Sequence, residues 1–320
     1  MIERTRWSLT LNFFVEQFKR KLTLGRNNNI IVSENKKGVL VVSEKKEQSG
    51  YKKYLVLWLV MIAAYAVWMI FFLRYDTYPL EDTGMLKPVY YVLWTAFSIA
   101  YLLLFPLFIK LFLYGREPGK GLKIFSLVAL IFGCVYITWY GFFKNPIEFT
   151  ASMIGLDYPW HFKMWGLFAS LSIFTNVLYM YRKNNYHSTA GVVCGSLGCM
   201  AIFVTINVPS AGEELILNSL RCMSHWIGAL LFAFLCAASI VIFLLNRCRT
   251  KNKRYIALTA VFAAILALML ILLVTVGKNG LIESLPMWAA YLLLFFVNFT
   301  GIFDDKKKIA KLPEKEPAKV

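Results

Sequence analysis

Charged side chains are scarce in this chain, and apolar residues are abundant. Asp, Glu, Lys and Arg make up 17% of the 320 residues, whereas hydrophobic residues make up 58%. An ordinary soluble domain has about 25% charged residues, so this composition excludes that class. The net charge of +17 comes from cations beside the apolar runs, where anionic inner-leaflet lipids attract them. Because no nucleic-acid-binding motif accompanies the charge, we expect no nucleic-acid partner.

Ionisable residues are almost absent from the middle of the apolar runs. Lys110 and Lys163 lie near the ends of their runs. Intramembrane charges usually mark ion pathways and proton relays, so their absence argues against a proton pump or a carboxylate-coupled transporter. Asn176 and Asn298 are the main polar side chains near the centre, and we expect them to form hydrogen bonds between helices.

Cysteine motifs and a cleavable signal peptide are also lacking. The six cysteines lie mostly inside the apolar runs, with neither zinc-finger nor redox-motif spacing. Only Cys222 falls near the predicted outer face, which argues against a disulfide framework. The first 53 residues contain no apolar signal-peptide core, so we expect the first apolar run to direct membrane insertion.

Eight long apolar runs predict an all-α, polytopic membrane bundle. Several reach the roughly 20 residues that cross a bilayer. If each run crosses once from a cytoplasmic N-terminus, cytoplasmic segments hold 29 of the 35 Lys and Arg residues and outer loops hold 6. This bias predicts eight transmembrane helices with both termini in the cytoplasm. The runs are 54–73, 88–114, 122–143, 162–181, 190–207, 223–245, 256–276 and 285–301.

The sequence predicts four segments along the chain. They are a cytoplasmic segment over 1–53, two transmembrane helices over 54–114, a six-helix bundle over 122–303 and a basic tail over 304–320. The tail is rich in Lys, Glu and Pro, so we expect it to be disordered.

The cytoplasmic segment contains two predicted elements. Residues 2–22 repeat aromatic and apolar residues every three or four positions with cations around them, which predicts an amphipathic helix. Such a helix suits anionic inner-leaflet lipids, or it docks on the protein's own inner loops. Two β-type runs, Ile30–Val32 and Val39–Val42, predict a small hairpin because Asn and Gly between them permit a tight turn.

Proline and glycine predict local features of two runs. Pro106 is expected to bend the second run. Gly191 and Gly195 give the fifth run a face of small residues, which favours close helix packing.

Polar and titratable residues gather on the predicted outer side, in the segments that lead into the fourth and sixth runs. Two histidines open these runs at similar depth, with carboxylates and an arginine nearby. The candidate ligand-binding residues are Glu148, Ser152, Asp157, His161, Arg221 and His225. Our main interpretation assigns no catalytic residue and expects no metal or cofactor.

Four interpretations of this cluster compete. His161 and His225 could ligate one haem iron, but a two-haem carrier needs four ligands, and His187 is on the inner side. The two histidines with Asp157 or Glu148 could instead hold zinc for a lipid hydrolase. Both histidines could also be interfacial caps that form structural hydrogen bonds. The fourth interpretation is a non-catalytic site for a lipid headgroup or a protein partner, with an arginine contacting the anionic group.

Some of these residues resemble motifs of the damage-regulated autophagy modulator (DRAM) family and related bacterial multispan proteins. The family has a Pro-x-x-Ser-x-x-Gly-x-x-x-Pro type outer loop. Here Ser152, Gly155 and Pro159 follow the third run, with Pro146 displaced from its family position. The family also has a helix that starts with His-x-x-Gly-Ala. Here the sixth run, three runs after the third, opens with the matching His225-Trp226-Ile227-Gly228-Ala229.

The resemblance to the DRAM family covers roughly 122–303 and leaves the first two runs as additions. It departs from the family at Met153 and Trp160, where the family has acidic residues. The resemblance implies a six-helix bundle. It also implies a link to lipid homeostasis, phosphoinositide-kinase regulation or glycolipid-anchor processing.

The sequence therefore predicts a multi-pass membrane protein, in the plasma membrane, that senses or organises lipids without enzymatic activity. Its expected partners are membrane lipids, including anionic inner-leaflet lipids at the N-terminal helix. The alternative is a membrane lipid hydrolase or remodelling enzyme that uses His161 and His225 with nearby carboxylates.

Overall fold

The structure, a computed structural model, describes seven stretches of the chain. They are residues 32–34, 40–42, 45–72, 87–115, 120–207, 220–250 and 252–304. The predicted amphipathic helix over 2–22 and the tail after residue 304 lie outside them. Contacts divide the chain into two units after Lys53.

A small antiparallel hairpin lies in the first unit. Its strands are β1, Val32–Glu34, and β2, Leu40–Val42, with Val32 opposite Val42. The described part of the first strand shares Val32 with the predicted Ile30–Val32, and Glu34 pairs with Leu40 instead of lying in the turn. Backbone pairing therefore extends into the polar sequence, which side-chain type alone did not predict.

The remaining described elements are helical, and eight spans are long and apolar enough to cross a membrane. The predicted all-α, eight-helix polytopic bundle is therefore confirmed. The α-helices are α1 (Lys45–Phe72), α2 (Lys87–Leu102), α3 (Leu104–Leu113), α4 (Lys120–Gly141), α5 (Ala151–Asp157), α6 (Pro159–Lys183), α7 (Thr189–Asn207), α8 (Leu220–Cys248), α9 (Lys253–Thr275) and α10 (Gly280–Phe299), followed by a 3-10 turn at Gly301–Phe303.

The second span consists of two helices, α2 and α3, that are separated at Leu103. Pro106 has no N–H to donate to the carbonyl of Leu102, which lies four residues before it. The interruption occurs beside that missing hydrogen bond. The helical hydrogen-bond pattern is therefore interrupted near Pro106, while Leu103 keeps helical backbone angles, and the bend itself stays a prediction.

The eighth span begins at Gly280, five residues before its predicted start at 285. The Asn279 side chain caps it by accepting a hydrogen bond from the Ile282 N–H at 2.9 Å. A polar cap can start a helix before its apolar run begins. The segment 277–284 is therefore helical from Gly280 onwards, instead of being entirely an outer loop.

The central helix of the bundle is α6, and α9 lies at its periphery. In the spanning window of α6, 78% of the residues are buried inside the protein, against 6% in α9. Exposed positions on α9 and on other spans carry apolar side chains, such as Val274 on α9 and Val67 and Leu230 elsewhere. A soluble monomer rarely exposes so much contiguous apolar surface, whereas a bilayer solvates it.

Successive spans run in opposite directions, so their termini meet in two layers. In one layer, Trp94 donates a hydrogen bond to Asn207, and the Ala151 N–H donates one to Glu283. We call this layer the Ser152 end. In the opposite layer, the Lys183 ammonium donates to the carbonyl of Val297 at 3.0 Å. We call this layer the Arg182 end, after the residue that precedes Lys183. The cation bias predicts that the Arg182 end faces the cytoplasm.

Small residues let α7 approach its neighbours closely, as predicted. A Cβ on Gly191 would lie 1.9 Å from the Tyr181 hydroxyl, and a Cβ on Gly195 would lie 3.4 Å from Phe174. A side chain at Gly191 would therefore displace the tyrosine.

The two predicted asparagines form hydrogen bonds between helices, as expected, but Asn298 lies one residue before the end of α10 and not near the centre of its span. The Asn176 amide of α6 donates to the Ser126 carbonyl of α4 at 3.0 Å. The Asn298 amide of α10 donates to the Asn176 carbonyl at 2.9 Å. These bonds connect α4, α6 and α10, and both asparagine side chains are buried.

Candidate functional site

The predicted carboxylates of the site lie at the surface of the Ser152 end. Glu148 is exposed and accepts a hydrogen bond from the Asn145 amide at 3.0 Å. Asp157 is exposed and forms an ion pair with Lys144. Neither of these contacts involves a histidine. The Arg221 side chain lies outside the described residues.

The site residues that lead into the fourth run, which we expected to enter the bundle on one helix, are divided between two helices and the segment before them. Thr150 caps α5, and Pro159 is the first residue of α6. Ser152 is therefore on α5, while His161 is on α6. The rigid backbone of proline favours the start of a new helix, which separates the two side chains.

His161 lies among aromatic side chains. Its Nδ1 is 3.1 Å from the Tyr136 hydroxyl, and its ring contacts Trp139 and Phe143 edge-on. In the described part of the chain, no three His, Cys, Asp or Glu side chains form a group that could hold a metal ion. The described residues therefore supply no ligand set for the zinc hydrolase alternative.

Ser152 and His225 are the two predicted site residues that the structure brings into direct contact. The Ser152 Oγ is 3.1 Å from His225 Nε2, and His225 Nδ1 is 3.0 Å from the Thr205 carbonyl oxygen. A carbonyl can only accept, so Nδ1 carries a proton. In the neutral ring, Nε2 therefore accepts the hydrogen bond that the serine hydroxyl donates.

Three helices hold this pair in place. Ser152 lies in the first turn of α5, which Thr150 caps by accepting a hydrogen bond from the Met153 N–H at 3.2 Å. On α8, Gly228 follows His225 by three residues and therefore lies on the same face. A Cβ on Gly228 would lie 2.6 Å from the Thr205 hydroxyl. The glycine thus lets α8 approach α7, whose carbonyl orients the histidine.

A cavity of about 280 Å³ begins beside this pair and extends into the membrane-spanning region. Its lining on α8 runs from Trp226 to Ile240, which is about 20 Å along a helix that rises 1.5 Å per residue. Most of the lining is apolar. Its polar side chains lie at the Ser152 end and include Ser152, Thr205 and Glu283.

Sequence reasoning missed Lys278 and Glu283, which line the same end of the cavity. Glu283 accepts a hydrogen bond from the Ala151 N–H at 3.3 Å and lies 3.1 Å from the Lys278 ammonium. The Lys278 ammonium also lies 3.7 Å from the centre of the Trp226 ring. Both charged residues fell in a predicted outer loop, so their position beside Ser152 was not evident from the sequence.

A second polar cluster at the Ser152 end was also missed. Lys163 is 1% exposed, and its ammonium lies 4.4 Å from the Trp94 ring centre. The Asn207 amide donates to the Tyr65 hydroxyl at 3.0 Å, and Trp94 donates to the Asn207 side-chain oxygen. This cluster connects the first two spans to α6 and α7.

Comparison of the whole chain with family models, with curated proteins and with solved structures finds no match in any of the three. The resemblance to the DRAM family therefore stays a prediction. Every residue that lines the cavity lies between Ile137 and Ala290, inside the 122–303 range that the resemblance covers.

Proposed function

We propose that this multi-pass protein senses or organises membrane lipid by binding one lipid in the 280 Å³ cavity. The observation that carries the proposal is the shape and polarity of this cavity, which is apolar along its length and polar at the Ser152 end. An acyl chain fits the apolar part, and a headgroup fits the polar end. Its volume lies just below the roughly 300–1,000 Å³ typical of small-molecule sites, so the cavity takes part of one acyl chain while the rest of the lipid stays in the bilayer.

The peripheral helix α9 gives the cavity an outer wall that faces the bilayer. Phe262, Leu266 and Leu273 of α9 line the cavity, and their spacing places them on one helix face. Other positions on α9, such as Ala264, are exposed. Helix α9 therefore separates the cavity from the surrounding lipid. A lipid would enter the cavity beside this helix.

The charged residues at the polar end support headgroup binding. Lys278 supplies an ammonium beside the cavity, with Glu283 and Trp226 as its contacts. An ammonium at a membrane interface attracts a phosphate or another anionic group. We include Arg221 as a further contact for this group on sequence grounds, and we expect the protein to work in the plasma membrane.

Lipid retention tests this proposal directly. Purified wild-type protein in mild detergent should carry lipid at near one-to-one stoichiometry by native mass spectrometry. Ala237→Trp places a large ring inside the cavity lining, so the variant should retain little of this lipid. Ala264→Trp makes the same change on the exposed side of α9 and should retain as much as wild type.

Equal lipid retention by Ala237→Trp and wild type would overturn the cavity as the binding site. A second variant tests the headgroup contact, since Lys278→Gln keeps a polar side chain but removes the charge. The anionic fraction of the bound lipid should fall in this variant. An unchanged lipid profile would exclude Lys278 from the site.

A further inference from the structure

We propose that Ser152 is a nucleophile and His225 its general base, and that together they transfer the acyl group of an ester lipid bound in the cavity. This inference rests on the proposed lipid site and adds a reaction to it. It uses one histidine and no metal, unlike the hydrolase alternative drawn from the sequence.

The geometry of the pair meets the requirements for an activated nucleophile. A base must lie about 2.6–3.2 Å from the hydroxyl that it deprotonates, and a third group must orient it. The Ser152 Oγ to His225 Nε2 distance is 3.1 Å. The Thr205 carbonyl, 3.0 Å from Nδ1, supplies the third group and fixes the tautomer whose Nε2 accepts a proton.

The position of the pair relative to the cavity also fits this reaction. Ser152 lines the cavity, whereas His225 lies behind it and is 1% exposed. The serine lies where the polar end meets the apolar lining. In a glycerolipid, the ester carbonyls lie between the headgroup and the chains. A lipid with its chain in the cavity therefore presents an ester at the level of Ser152.

The reaction balances with water as the only co-reactant. The Ser152 Oγ forms a bond to the ester carbonyl carbon while its proton moves to His225 Nε2. The bond from that carbon to the alcohol oxygen then breaks, and the proton moves from Nε2 to the leaving alcohol. Water attacks the resulting acyl-serine, gives one proton to Nε2, and releases a fatty acid as Ser152 regains its proton.

A fluorophosphonate probe tests for the activated serine in the full-length protein. The probe forms an Oγ–phosphorus bond with loss of fluoride, and it reacts with a serine whose proton a base can take. We expect labelling at Ser152, mapped by peptide mass spectrometry, and its loss in Ser152→Ala. Ser188→Ala is the control and should leave the labelling of Ser152 unchanged, because Ser188 is at the Arg182 end, outside the cavity lining, where its hydroxyl accepts a hydrogen bond from the Gly191 N–H at 3.1 Å.

Lipid hydrolysis tests the substrate class. Protein reconstituted in vesicles of ester-linked phosphatidylglycerol should release fatty acid above the Ser152→Ala background. Vesicles of the ether-linked analogue should release none, because an ether has no carbonyl carbon to attack. The absence of release from the ester lipid would overturn the proposed reaction.

Two further outcomes would each overturn the inference. One is the absence of label at Ser152 in folded wild-type protein. The other is equal labelling in folded His225→Gln, which would show that the histidine is not the base. If His225→Gln fails to fold, labelling of Ser152 in the wild-type protein still tests whether this serine is activated. Loss of lipid binding is measured separately by native mass spectrometry, so a protein that retains lipid but is not labelled would leave the binding proposal intact.

Discussion

At the residue scale, a few buried polar side chains connect helices that have mainly apolar surfaces. Asn176 is fully buried, and its amide donates to the carbonyls of Ser126 and Ser172 at 3.0 and 2.8 Å. In hydrocarbon the amide cannot bond to water, so an unpaired side-chain donor is costly there, and these two helix carbonyls satisfy it. The asparagine was predictable from the sequence because it is polar in an apolar run. Its partners were not, because Ser126 lies on another helix.

Asn176→Ala should lower the stability of the folded bundle by about 1–2 kcal/mol, because it removes three hydrogen bonds in the membrane interior. The amide donates two of them, and the side-chain oxygen accepts the third from Asn298. The measurement is thermal unfolding of the purified protein in detergent. Asn145→Ala is the control, since Asn145 is exposed and its bond to Glu148 competes with water. An equal loss in the two variants would contradict the special contribution of the buried asparagine.

At the element scale, the seven-residue helix α5 carries a site residue, whereas the start of the peripheral helix α9 lies at the opposite end of the bundle. Helix α5 positions Ser152, and its start depends on the Thr150 cap. Helix α9 starts with the Asn252 side chain, which accepts a hydrogen bond from the Arg254 N–H at 3.1 Å. Both caps are polar residues before an apolar run, so the sequence favours a helix start at each.

Thr150→Ala should reduce Ser152 labelling by the fluorophosphonate probe and destabilise α5 by about 1 kcal/mol, the usual cost of losing an N-cap. Asn252→Ala removes a comparable cap at the opposite end of the bundle. It should leave Ser152 labelling unchanged while lowering overall stability by a similar amount. If both variants reduced labelling equally, the effect would reflect global stability instead of the position of α5.

At the scale of the whole molecule, alternating spans place Ser152, His225 and Lys278 in one layer. The cation bias predicts that this layer faces outward. The packing of the spans shows which helix ends lie together, whereas the direction in the membrane depends on the flanking charges. The orientation decides whether the proposed headgroup site faces the outer leaflet.

Cysteine labelling in intact cells tests the orientation. In a cysteine-free background, Ile147→Cys at the Ser152 end should react with an impermeant maleimide, and Thr250→Cys at the Arg182 end should not. Both positions are exposed, so reactivity depends on the side of the membrane. Permeabilised cells should label both. Labelling of Thr250→Cys alone in intact cells would reverse the predicted topology.

Features that depend on local residue pattern were predictable before the fold was known. Apolar run length predicted the eight spans, and the cations beside them predicted a direction. Pro106 marked the interruption of the second span, because the missing N–H is a property of one residue. Asn176 and Asn298 were identified as contacts between helices because each is a polar side chain within an apolar run.

Contacts between side chains on different helices became evident only from the packing of the bundle. Ser152 and His225 are 73 positions apart, and the carbonyl that orients the histidine belongs to Thr205 on a third helix. Hydropathy does not predict this arrangement. An apolar helix face is equally well solvated by lipid tails and by the apolar face of another helix. Packing and hydrogen bonding therefore choose the neighbours. For the same reason His161, which resembled His225 in the sequence, contacts a different set of residues in the bundle.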